Sequence, residues 1–280
     1  MTAPQVQTTD DRLLAQHNAK SGGQGSIPIV FVHGYGCDQS MWRDVLPAFD
    51  RDFRTVAFDL VGCGGSRIVY DPVRYGGLEG YADDVIAVCR AIRAGPVILV
   101  GHSVSAMIGA IAVRRQPDLF RSIIMISPSP RYISDAGYDG GFTRKDIDSL
   151  LDLMESDRDG WAATLASTVM GNPDRPELAS DLEASFCRMD PDVARRFARI
   201  TFTADNREDL DHVHVPTLVV QCRGDVIAPL AVGEYVHRRL RHGRLTVLDV
   251  QGHCPHVSAP AETSTAIRAF LTDIDRASAA

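Results

Sequence analysis

The run Val97-Ile98-Leu99-Val100-Gly101-His102-Ser103-Val104-Ser105-Ala106-Met107-Ile108-Gly109 constrains this chain more than any other stretch. A short apolar β-type run stops at Gly101. A lone serine stands two residues later, and small residues with helical apolar spacing then take over. Such a strand–turn–helix is the signature of a nucleophile elbow, which lifts a serine hydroxyl to the top of a sheet. The turn is tight, so its neighbours must be small, and Gly101 meets that need. Ser105 stands where the G-x-S-x-G pattern has its last glycine, a departure that a small side chain tolerates. Taken alone, the run also fits an ordinary strand-to-helix turn with an incidental serine.

The surrounding pattern favours the first reading. Apolar runs at 27–33, 54–60, 97–100, 121–127, 215–222 and 245–250 read as strands. Helical patterns at 41–48, 78–92, 105–115, 230–240 and 260–273 separate or follow them. Strands alternating with helices predict an α/β fold with a mostly parallel, doubly wound central sheet flanked by helices. Reactive groups in such sheets collect beyond the carboxyl ends of the strands. One segment breaks the alternation: 142–155, 159–169, 176–187 and 191–201 read as four helices, punctuated by Asn172-Pro173, Arg175-Pro176 and Asp190-Pro191. The expected organisation is therefore a core of residues 1–130 and 212–280, with a four-helix cap of residues 131–211 inserted over the site. Phe142, Trp161, Val169, Phe186 and Phe202 are expected to roof an apolar cavity. Each of these side chains, taken singly, also fits packing within the cap.

Composition narrows the function classes. With 280 residues, 45% of them hydrophobic, the chain can bury a sizeable core. Its net charge is −7, and its arginine pairs, such as Arg114-Arg115 and Arg238-Arg239, are scattered, so no nucleic-acid partner is predicted. Residues 1–25 are polar and carry no apolar core of signal-peptide type; 21–25 reads as a turn between two edge strands. No apolar run reaches the roughly 18 residues a membrane span needs, so a cytoplasmic protein without membrane contact is expected. The six cysteines are widely spread with no C-x-x-C pair, which indicates neither a zinc site nor a disulfide framework. Buried free thiols are expected, with Cys37, Cys222 and Cys254 close to the pocket motifs.

A serine hydroxyl needs a base within hydrogen-bond reach, and the base needs an orienting acid. Downstream of an elbow serine the acid comes first in the chain and the base second. Of the nine histidines, His17, His212, His214, His237 and His242 lie outside strand-end glycine loops, and His33 and His102 precede the required position. Gln251-Gly252-His253-Cys254-Pro255-His256 leaves two, and His253 is favoured because it follows the last strand directly after a glycine, where its ring can swing over the elbow. Asp225, on the glycine-containing turn after 215–222, is favoured as acid, with Asp249 a competitor by its nearness in sequence to His253. The Val104 amide and the Tyr35 amide of His33-Gly34-Tyr35-Gly36 are candidates for an oxyanion hole, because fixed backbone dipoles suit developing negative charge.

These motifs, in this order, resemble the α/β-hydrolase superfamily and within it the RsbQ family, which includes a bacterial stress-signalling regulator and the plant strigolactone and karrikin receptors. The resemblance rests on His33-Gly34-Tyr35-Gly36-Cys37-Asp38-Gln39-Ser40-Met41-Trp42, Gly101 to Ser105, Ser129-Pro130-Arg131-Tyr132, Gly140-Gly141-Phe142 and Gly252 to His256. In the cap, Asn172-Pro173-Asp174-Arg175-Pro176-Glu177 and Arg207-Glu208-Asp209-Leu210 resemble the bacterial branch more than the plant one. It implies Ser103 as nucleophile, Asp225 as acid, His253 as base, and Tyr35 and Val104 as oxyanion donors. It also implies a pocket to which Tyr132 and Cys254 contribute, no metal, and no organic cofactor. Phenylalanine is common at the Tyr35 position in that family, so a tyrosine hydroxyl is expected at the pocket floor.

Two functions follow. One is hydrolysis of a small apolar ester or lactone through an acyl-enzyme. The other, implied by the resemblance, is a signalling sensor whose output is contact with a PAS-domain phosphatase or another partner. Hydrolysis of a C–C bond would need a charged anchor; the sequence shows no clear one, with Arg131 and Arg144 as the candidates. Dehalogenation needs a carboxylate nucleophile where this chain has Ser103.

Overall fold

A computed structural model describes residues 8–92 and 95–279; the expectations for residues 1–7 lie outside this range. Among the described residues, seven strands form one sheet in the order β1-β3-β2-β4-β5-β6-β7. The strands are β1 (Lys20–Gly22), β2 (Pro28–Val32), β3 (Arg54–Phe58), β4 (Val97–His102), β5 (Phe120–Ile126), β6 (Thr217–Gly224) and β7 (Gly243–Gln251). Every pairing is parallel except β1 with β3. Residues 21–25 join an edge strand, β1, to an inner one, β2, rather than two edge strands. The sequence reading missed that asymmetry because β1 is exposed and polar.

The inner strands read as continuous apolar runs because both faces are covered. Val30, Val32 and Leu99 face one core with helices α2 (Leu78–Ala91) and α3 (Val104–Arg115). Ile29, Phe31, Ile98 and Val100 face the other, with Trp42, Phe49 and the Ile267–Phe270 region of α10 (Pro260–Ala279). Parallel register pairs Val32 with Gly101, so the loops leaving β2 and β4 emerge side by side.

Between β5 and β6 lie four helices, α4 (Arg144–Ser156), α5 (Arg158–Met170), α6 (Pro176–Arg188) and α7 (Pro191–Thr203). Their starts are written in the sequence. Thr143 and Asp146 close a capping box, Asp157 and Asp190 cap α5 and α7, and prolines open α6 and α7. Thr143 as cap leaves Phe142 outside α4. An amino-terminal helix, α1 (Thr9–Gln16), was not anticipated: it buries no residue, so no apolar stripe announces it, although Thr8 and Asp11 form a capping box. The segment 41–48 is two 3-10 turns, Gln39–Trp42 and Leu46–Ala48. After β6 come α8 (Leu230–Arg239), β7 and the short α9 (Pro255–Ser258). Among the described residues no helix is long and apolar enough to cross a membrane, and no group of three or more His, Cys, Asp or Glu side chains could hold a metal ion.

Candidate active site

Ser103 stands between β4 and α3 with φ 55° and ψ −122°, a left-handed conformation that costs a non-glycine residue on the order of 1–3 kcal/mol. The strain is held by neighbours. The Ser103 N–H donates to the Ile126 carbonyl at 2.8 Å, tying the turn to the end of β5. A Cβ on Gly101 would lie 2.4 Å from the Ser105 carbonyl oxygen, so only glycine lets strand and helix approach this closely. Ser105 does more than fit: its hydroxyl donates to the His33 carbonyl and clamps the elbow to the end of β2.

Three side chains from separate loops converge. His253 Nε2 lies 2.8 Å from Ser103 Oγ, and His253 Nδ1 lies 2.8 Å from Asp225 Oδ2. Because Nδ1–H donates to the carboxylate, Nε2 accepts the serine proton. The other carboxylate oxygen of Asp225 accepts the Ile227 and Ala228 N–H groups, each at 2.9 Å. Asp225 is thus both the turn residue and the histidine's partner, the two readings its sequence context allowed. Gln221 supports it from β6, donating to Asp225 at 3.3 Å and to the Ala228 carbonyl. Sequence reasoning passed over Gln221, although a lone glutamine inside Thr217-Leu218-Val219-Val220-Gln221-Cys222 was a usable signal. Asp249 is instead an exposed ion-pair partner of Arg223.

The His253 ring does not swing freely. Both ring nitrogens are engaged, and the His253 N–H donates to the Val169 carbonyl at the end of α5 at 2.7 Å. His102 Nε2–H donates to the His253 carbonyl at 3.0 Å. His256 packs beneath, with ring centroids 4.3 Å from His102 and 4.4 Å from Trp42. Burial holds His102 and His256 below the ordinary histidine value, His256 at about 3, and nearby histidines add to the effect. Both are therefore neutral and structural.

Val104 opens α3, where an N–H has no intrahelical acceptor. The Tyr35 amide follows β2 and makes no hydrogen bond with another described residue. The Tyr35 side chain lines the cavity, but its hydroxyl is engaged by the backbone. It donates to the Ala194 carbonyl of α7 at 3.0 Å, and its ring packs edge-on to Trp161, Phe197 and Phe202. The polarity that the substitution adds is spent on holding α7.

A small cavity of about 30 Å³ faces Ser103, with room for about two waters. Of the expected pocket residues, Tyr132, Val169, Phe186, Phe202 and Cys254 line it, together with Leu165, Leu182, Thr201 and Ile227. Phe142 and Trp161 do not. Trp161 stands behind the wall, packed on Tyr35 and Phe186. Phe142, outside α4, lines a neighbouring apolar cleft of about 280 Å³ between α4 and α5, which shares Leu165, Phe202 and Ile227 with the inner cavity.

Residues 29–266 match the profile of the alpha/beta hydrolase family. The chain belongs to that family. Among relatives of this hydrolase, the Petunia hybrida protein named Karrikin insensitive 2 receptor CA is 39% identical over 87% of this chain and 91% of its own length. Strigolactone esterase D14 of Arabidopsis thaliana is 37% identical over 92% of this chain and 97% of its own. The solved structure of a hydrolase from Oleispira antarctica superimposes with a TM-score of 0.92 at 35% identity, covering 95% of this chain and 98% of that one.

The two candidate anchors of this hydrolase lie off the site. Arg131 pairs with Asp205 and Asp135, and Arg144 is an exposed partner of Asp148, so neither reaches the cavity as an anchor. All six cysteines are free; Cys187 is exposed rather than buried. Cys37 and Cys254 line the cavity and Cys222 does not. Burial pushes the thiols of Cys37, Cys222 and Cys254 up, Cys222 to about 12, which leaves them poor nucleophiles.

Proposed function

We propose that this alpha/beta hydrolase is a serine esterase or lactonase acting on a small, largely apolar ester or lactone, with Ser103 as nucleophile, His253 as general base and acid, and Asp225 as orienting acid. The observation that carries the reading is the Ser103–His253–Asp225 chain of two 2.8 Å contacts at the end of a parallel sheet. His253 takes the Ser103 proton as Oγ attacks the carbonyl carbon. The Tyr35 and Val104 amides stabilise the oxyanion. His253 then passes the proton to the leaving oxygen, and water releases the acid from the acyl-enzyme. The apolar lining, with no charged side chain, favours an uncharged substrate. Residues 131–211 act as the cap. No metal or organic cofactor is required by this sequence of steps.

A second reading, the RsbQ-like sensor, draws support from one observation: the cavity at Ser103, about 30 Å³, is too small for an ester or lactone, so a ligand must shift the surrounding helices to fit. Relatives named as receptors and as esterases both occur. In that reading the ligand-dependent cap surface contacts a protein, a PAS-domain phosphatase by the RsbQ resemblance, in the cytoplasm.

A panel of p-nitrophenyl esters and lactones tests the first reading. Short apolar acyl groups are expected to turn over and charged ones to fail, and Ser103→Ala is expected to abolish hydrolysis. Activity retained in Ser103→Ala would overturn the assignment.

A further inference from the structure

Tyr132 leaves β5 on the segment that leads to α4, and its place there is fixed from two sides. Its carbonyl accepts the Phe142 N–H at 3.2 Å, and its ring packs edge-on to Phe202 at 5.2 Å. The side chain is buried, and its hydroxyl lies 3.3 Å from Ser103 Oγ. This is the one hydrogen bond the Tyr132 hydroxyl makes among the described residues. Apart from His253, the other polar side chains of the lining are occupied elsewhere or lack a contact to Oγ: His102 donates to the His253 carbonyl, and the Cys37 thiol donates to the Tyr35 carbonyl.

Counting protons fixes the direction of the Tyr132 bond. Ser103 has one proton, and it goes to His253 Nε2. The Tyr132 O–H must therefore donate to an Oγ lone pair. Burial pushes the Tyr132 hydroxyl up to about 12, so it keeps its proton at neutral pH. A donor on the nucleophile gives acylation no advantage, since that lone pair has to be released for attack.

The geometry changes meaning once Oγ is acylated. His253 Nε2 at 2.8 Å and Tyr132 Oη at 3.3 Å both border Oγ, and a water placed on the acyl carbon beside Oγ has both within reach. We propose that Tyr132 is a catalytic residue of the second half-reaction, holding the hydrolytic water against the acyl-enzyme by accepting one of its hydrogens while His253 accepts the other. The water oxygen bonds to the acyl carbon, and its proton passes to Nε2. The C–Oγ bond then breaks, Nε2 returns the proton to Oγ, and the carboxylic acid leaves. Tyr132 keeps its own proton throughout.

This proposal rests on the triad reading, and the experiment separates the two. Acylation is read in single turnovers with enzyme in excess over p-nitrophenyl acetate. Deacylation is read by rapid quench and intact mass, as the acetylated protein disappears. In Tyr132→Phe, which removes only the hydroxyl, acylation is expected to stay within about threefold while deacylation slows about tenfold, the worth of one ordinary hydrogen bond. Equal slowing of both steps, or no slowing of deacylation, overturns the proposal while leaving the triad intact. An acetyl group that does not map to Ser103 in the wild type overturns the triad reading itself.

Discussion

At the residue scale, single side chains serve two masters. Asp225 caps its own turn with one oxygen and orients His253 with the other. Ser105, the departure from the glycine pattern, contributes a clamp to β2. The Asp225 assignment has a clean competitor in Asp249, which sits closer to His253 in sequence and farther from it in function. Asp225→Asn keeps the shape and loses the charge and tautomer control, so kcat is expected to fall on the order of 10³–10⁴-fold. Asp249→Asn removes half of an exposed ion pair and is expected to change kcat by no more than about twofold. Steady-state kinetics on the two variants checks both, and the reverse order of effects would reassign the acid.

At the element scale, the His253 loop is held by α5. The His253 N–H bonds to the Val169 carbonyl, and Gly252, at φ 86°, lets the loop lie against the end of α5: a Cβ there would sit 1.9 Å from the Met170 carbonyl oxygen. Gly252→Ala is therefore expected to destabilise the fold by about 1–3 kcal/mol and to lower activity more than stability alone explains. Urea melts and initial rates on the folded fraction measure the two separately. This coupling also marks where the sequence was legible. Strands buried on both faces, the Ser103 turn, the Asp225 turn and the His253 loop all announce themselves through local pattern, and so do the four helices between β5 and β6 through their caps and prolines. The tie between Gly252 and Met170 joins residues far apart in the chain and leaves no local trace. Phe142 and Trp161 misled for a related reason: periodicity says a side chain faces inward, but not whether it meets the cavity or the residues behind its wall. Polar elements hid as well, since α1 and β1 bury almost nothing.

At the scale of the whole molecule, the core carries neutral buried histidines: His17, His33, His102 and His256 are all held below the ordinary value by burial. His33 illustrates why. Its Nδ1–H donates to the Gly34 carbonyl and its Nε2 accepts the Leu60 N–H, an arrangement that has no place for a second proton. The unfolded chain takes up protons at these residues as pH drops through about 6.5, whereas the folded chain does not. Stability is therefore fully present above about 6.5 and lost below it, for His256 down to about 3, each histidine contributing up to about 1.4 kcal/mol per pH unit. Melting temperature is expected to fall steeply between pH 6.5 and 5, and His256→Phe to flatten part of that slope. A flat profile would show that these side chains are not buried and neutral.

The same architecture sets one strained serine, Ser103, in line with His253 and Asp225 beside a small cavity, and the proposed function makes that serine the nucleophile. Labelling with a small alkyl fluorophosphonate, followed by peptide mapping, tests it most directly. The expected result is one phosphonyl group per chain, on Ser103, with loss of ester hydrolysis in proportion to labelling. A label on any other residue, or full hydrolysis by the protein labelled at Ser103, would contradict it.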